Sequence, residues 1–123
     1  MTVYVTKEPR NDRYDLSSAQ KYGEFVYVFD KYYNEAQCPL TTMNHAFKML
    51  RNFDYKKDFL LEKPGETPIA ARCCNSVLRY LGYHEIVHLE WNREIGEDGR
   101  RLYNRGSYKP VTWVIDQGVV IGQ

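Results

Sequence analysis

The chain switches repeatedly between two hydrophobic periods, and this narrows its fold more than any single motif. Apolar runs too short for a helix alternate with longer stretches whose apolar residues recur at three- and four-residue steps. Val3-Tyr4-Val5-Thr6 is the first run, a strand by its β-branched and aromatic content. Lys7 to Arg13 is polar, contains Pro9 and reads as loop. Asp15 to Gly23 reads as a brief helix, with Asp15 as cap and Gly23 as a left-handed stop. Glu24 to Asp30 encloses an unbroken apolar and aromatic run, which suits a strand buried on both faces.

Lys31 to Gln37 is a polar loop carrying Tyr32 and Tyr33. Pro39 then fits the first turn of a helix whose face is Leu40, Met43, Ala46, Phe47, Leu50 and Phe53. Asp58 to Glu62 is a third strand, ended by the turn signal Lys63-Pro64-Gly65. Thr67 caps a second full helix starting at Pro68. Its wide apolar side runs from Ile69 to Leu81, and Gly82 stops it. His84 to Trp91 is a fourth strand. Asn92 to Ser107 holds Gly96, Gly99 and Gly106 and reads as a long loop or hairpin tip; Lys109 to Asp116 is a fifth strand.

Strands alternating with helices predict an α/β fold: a small three-layer Rossmann-like sandwich. Its sheet should be mostly parallel, of about five strands, with an antiparallel C-terminal edge strand. A length of 123 residues fits one domain over 1–123, with 117–123 either extending the last strand or fraying as a tail. If the helix at Asp15 fails to form, one sheet face lacks cover and a homodimer could supply it. No apolar run approaches the roughly 20 residues of a membrane helix, so no membrane partner is expected. The first ten residues lack the layout of a secretory signal. Cys38, Cys73 and Cys74 cannot all pair within one chain, and adjacent cysteines bridge only with strain, which favours reduced thiols.

Seventeen basic against sixteen acidic side chains argue against a protein that coats nucleic acid. No glycine-rich phosphate fingerprint is present, and no cofactor is implied. His84 and His88 lie four apart on a predicted strand, about 13 Å from each other, too far to share a metal. Cys38 or Cys73 with His45 could form a nucleophile and base, yet no partner stands at a diagnostic spacing, and no catalytic residue is assigned. In open α/β sheets ligands bind beyond the carboxyl ends of the strands. Asp30, Glu62, Lys63 and Trp91, with Arg93 beside them, would gather there as a ligand crevice.

The segment from Asn92 to Lys109 is the more informative candidate. Arg93, Arg100, Arg101, Arg105 and Lys109 are interleaved with Tyr103 and Tyr108, the side-chain chemistry of binding surfaces. Glu94, Glu97 and Asp98 dilute the charge, so the plainer reading is a solvated hairpin tip with local ion pairs.

Three stretches carry a resemblance. They are Asp15-Leu16-Ser17-Ser18-Ala19-Gln20-Lys21-Tyr22-Gly23-Glu24-Phe25-Val26-Tyr27-Val28-Phe29-Asp30, Phe53 to Leu61, and Leu89-Glu90-Trp91-Asn92-Arg93. Together they resemble a group of small phage- and prophage-encoded α/β proteins that share a Ser-Ala-x-Lys-Tyr-Gly-Glu-hydrophobic opening. The likeness covers most of the chain to about Asp116. The glycine-rich segment before Lys109 is longer here, and Glu66 stands where Asp is commoner. The motifs are strands and turns, so the resemblance implies an accessory viral protein in the bacterial host cytoplasm and carries over no activity. The expectation is a non-enzymatic protein that binds a host or phage macromolecule, for instance to inhibit a host or defence factor. A protein is the first partner class and nucleic acid the second. The alternative is a small-molecule or nucleotide module, or an enzyme, using the strand-end crevice.

Overall fold

The computed structural model describes residues 1–10, 15–62, 68–116 and 119–121; the side chains of 103, 104, 116 and 119–121 are outside that description. Six strands form one sheet. In chain order they are β1 (Thr2–Lys7), β2 (Glu24–Phe29), β3 (Phe59–Leu61), β4 (Glu85–Ile95), β5 (Arg101–Asp116) and β6 (Val119–Ile121). A 3-10 helix spans Ser17–Tyr22, and two α-helices follow, α1 (Pro39–Leu50) and α2 (Pro68–Tyr80).

The spatial order is β2-β1-β3-β4-β5-β6. The first four strands are parallel; β5 and β6 are antiparallel to their neighbours. The architecture is therefore mixed α/β. The sheet has six strands rather than about five, because 119–121 adds β6 at the edge. The chain moves one way from β1 to β2 and the other way from β2 to β3, so direction reverses between β1 and β3. With crossovers of one hand, that reversal must put the 3-10 helix on one face and α1 and α2 on the other.

Side-chain packing agrees. Leu16 and Ala19 pack with Val3, Val5, Leu61, Leu89 and Tyr108 on one side of the sheet. Ala46 and Leu50 of α1 and Cys74, Val77 and Leu78 of α2 pack with Tyr4, Leu60 and Ile86 on the other. The condition under which a second copy was expected to supply cover is not met.

Three expectations are corrected. The segment after Asp15 is a 3-10 helix, and Asp15 accepts the Ser17 N–H at 2.8 Å outside it. Gly23 is needed there because a Cβ would stand 2.5 Å from the Met1 carbonyl oxygen. β2 is an edge strand: its side chains reach both core clusters, but Glu24 is exposed and Phe25 to Tyr27 are only half-buried, so the cover is incomplete. The expected α1 face holds at Met43, Ala46, Leu50 and Phe53 but not at Leu40, 72 % exposed, or Phe47, also exposed, whereas Thr42 is buried and donates to the Glu35 carbonyl at 2.9 Å. The expected cap Thr67 and the turn at 63–65 lie outside the described residues.

Candidate functional site

Of the two readings of Asn92–Ser107, the hairpin tip holds and the long loop does not. β4 continues to Ile95 and β5 begins at Arg101, so the two strands form a ribbon. β3 pairs only with His88 and Leu89 of β4, and the ribbon beyond is an arm extending past the parallel sheet. Its turn is closed by Gly96 N–H donating to the Arg100 carbonyl at 2.8 Å, with Gly99 in the left-handed region at φ +81°. Between the pairs Arg93–Gly106 and Ile95–Arg101, β4 has one residue and β5 has four, a marked bulge.

Arg93, Arg100, Arg101, Arg105 and Lys109 are all exposed on this arm. Arg100, Arg101, Arg105 and Lys109 make no ion pair among the described residues, although Glu94, Glu97 and Asp98 are close in sequence. Asp98 instead accepts the Arg100 backbone N–H at 3.0 Å. The local ion pairs of a merely solvated tip are thus missing from these four cations.

Tyr108 does not belong with them. It is 2 % exposed, packs edge-on against Trp91 at 5.2 Å, and is a core residue, not a contact residue. Burial, and then the Asp15 carboxylate, push its hydroxyl up to about 12. Its N–H donates to Ser18 Oγ at 3.0 Å and its carbonyl accepts from Tyr22 Oη at 3.4 Å. Tyr103 lies on β5, with its side chain outside the described residues.

At the base of the arm is a cavity of about 450 Å³. Arg93, Arg101 and Lys109 line it, together with Glu90, Asn92 and Trp91. Glu90 accepts the Trp113 indole N–H at 3.1 Å, which fixes this carboxylate in the cavity.

Of the expected strand-end crevice, Trp91 and Arg93 line this cavity, and Glu62 lies near its Glu90. Asp30 is spent on its own turn, accepting the Tyr32 N–H at 2.8 Å. Glu62 is exposed, and its carboxyl lies above the ordinary range through desolvation and the nearby Glu90 charge. Trp91 packs on the side of the sheet that carries the 3-10 helix. Lys63 lies outside the described residues.

Lys7 and His88, both on strands, are buried polar groups. Lys7, ending β1, is 0 % exposed and donates to Glu35 at 2.7 Å and to the Tyr33 carbonyl. His88 is buried on β4 with no hydrogen-bond partner for Nε2 among the described residues, and burial lowers its pKa to about 4. His45 stacks on Tyr33 at 4.7 Å and donates Nε2–H to the Val28 carbonyl at 2.7 Å, so that nitrogen does not serve Cys38. Cys38 is an exposed thiol at the start of α1, its pKa lowered by the Thr41 hydroxyl 3.4 Å away. Burial raises Cys73 and Cys74.

A family described as Phage Pam3 gp32-like protein matches residues 1–99. That span takes in β1 through β4 and part of the arm's turn; β5 and β6 lie beyond it. No curated protein and no solved structure matches the chain.

Proposed function

The chain belongs to the Phage Pam3 gp32-like protein family, and from that premise we propose that it is a non-enzymatic accessory protein that binds a host or phage macromolecule through the β4–β5 arm. The observation that carries this reading is the set of exposed Arg and Lys side chains on the arm that make no ion pair among the described residues. Guanidinium groups left uncompensated on a projecting ribbon add little to the fold. They are ready to meet planar anionic groups bidentately. Such charges steer encounter and orientation, while any anchoring aromatic supplies affinity.

Action is by occupying a partner's surface, with a protein as the first class of partner and the bacterial host cytoplasm as the place. No helix among the described residues is long and apolar enough to cross a membrane. The same reading takes the architecture as a Rossmann-like sandwich in which the 3-10 helix is a thin second helical layer.

The test is capture from host lysate by the tagged chain, followed by mass spectrometry. Replacing Arg100, Arg101 and Arg105 by Ala should abolish the specific partner. Undiminished capture by that variant would overturn the assignment.

A further inference from the structure

We propose that the cavity at the base of the arm recognises an acidic peptide segment, so that the partner presents carboxylate side chains here. The proposal rests on the arm being the binding surface and names the chemistry that it accepts.

Arg93, Arg101 and Lys109 line a space of about 450 Å³ in which Glu90 is the one lining carboxylate among the described residues. Arg101 and Lys109 have no anionic partner among the described residues. Like charges held around one space repel each other, and the repulsion is relieved when an anion enters. The volume suits a side chain or a short stretch of chain. Carboxylate is the natural match for an arginine fork.

Glu90 decides between peptide and nucleic acid. Its position in the cavity is fixed by the Trp113 indole, so it opposes any anion that meets it and favours a ligand that also brings hydrogen-bond donors. A peptide differs from a phosphodiester chain in having backbone N–H groups, which Glu90 and the Asn92 amide oxygen can accept. The turn repeats the argument: Glu94, Glu97 and Asp98 are all exposed beside the basic side chains. Neutralising phosphates rewards an unbroken basic surface, not an alternating one. Trp91 adds an aromatic wall for the aliphatic stems of acidic side chains.

Both tryptophans of the chain sit at this cavity, Trp91 lining it and Trp113 bonded to Glu90, so intrinsic fluorescence reports on it directly. The full chain is titrated with hexaglutamate, with hexaserine, and with a single-stranded DNA oligonucleotide of similar length. Hexaglutamate should give a saturable change in tryptophan emission, weakened by salt, and hexaserine none. Arg101→Ala with Lys109→Ala should weaken hexaglutamate binding by roughly tenfold or more. Arg51→Ala with Arg72→Ala, two exposed arginines away from the arm and outside the cavity, should leave that binding close to wild type. Equal binding by the Arg101/Lys109 variant, or a tighter response to DNA, overturns the proposal. If hexaglutamate fails to bind while lysate capture still depends on the arm, the acidic chemistry is wrong and the arm reading survives. If capture ignores the arm, the arm reading itself fails.

Discussion

Lys7 and Glu35 form an ion pair 2.7 Å long, with the lysine side chain wholly enclosed and the carboxylate nearly so. The lysine ends a central strand and also holds the Tyr33 carbonyl, so one ammonium ties the segment between β2 and α1 to the sheet. A buried pair is costly to break because the surviving charge keeps its burial and loses its partner. Lys7→Met should therefore destabilise the fold by about 3–5 kcal/mol. Adding Glu35→Leu should recover much of that loss. Urea denaturation measures both, and a Lys7→Met variant as stable as wild type would contradict the assigned role.

His88 makes stability depend on acidity. In the folded chain it takes a proton only near pH 4, whereas an unfolded histidine does so near 6.5. Between those values the unfolded state binds more protons, so stability falls as pH drops through the window. The loss should reach about 3 kcal/mol below the folded pKa. Glu62 acts in the opposite sense, since its folded pKa is raised and protonation relieves it. His88→Leu removes the histidine contribution alone. Its melting temperature, followed from neutral to acidic pH, should fall less steeply than that of wild type.

The three thiols should separate by reactivity. Cys38 is exposed with a lowered pKa, while Cys73 and Cys74 are buried with raised ones. Brief iodoacetamide treatment of the native protein should label Cys38 first, with Cys74 reacting only on unfolding. Thr41→Val removes the hydroxyl that stabilises the thiolate and should slow Cys38 labelling by a few-fold. Peptide mapping by mass spectrometry reads both outcomes.

Gly106 is the tight point of the arm. A Cβ there would stand 2.3 Å from the Asn92 carbonyl oxygen and 3.0 Å from Arg93 Cα. Gly106→Ala should force the two strands apart at a cost of about 1–3 kcal/mol, confined to the ribbon. Amide exchange should quicken over 92–106 and stay slow in β1 and β3. Partner capture should fall with it, even though no cation has been removed.

Much of this architecture could be read from residue pattern. α2 buries Ala70, Cys73, Cys74, Val77 and Leu78 as its period requires, and Gly82 follows it at φ +96°. The strand pairing within the arm was hidden because Arg, Glu, Asn and Gly carry weak strand preference. Its glycines look like loop punctuation, yet Gly106 serves a close crossing of backbones and Gly99 a turn. Tyr108 was misread because it followed a polar, glycine-rich stretch; the 3-10 helix lying over it makes it core. Lys7 was missed for a related reason. A lysine ending a strand ordinarily faces water, and only the distant Tyr33–Glu35 segment encloses it. The cations of the candidate site were visible as residues, but their convergence on one cavity depends on the register of the β4–β5 ribbon.

The bonds from Ser18 and Tyr22 to Tyr108 have a consequence for the growth of the sheet. Ile115 sends its N–H toward β4, to the His84 carbonyl, so alternation places the nitrogens of Tyr108 and Pro110 on the outer side of β5. Tyr108 has given its donor and its acceptor to the 3-10 helix, and Pro110 has no donor to give. A foreign strand approaching there would find no ladder to continue. Six residues of minor helix thus take up that stretch of the β5 edge, where a paired strand would otherwise lie.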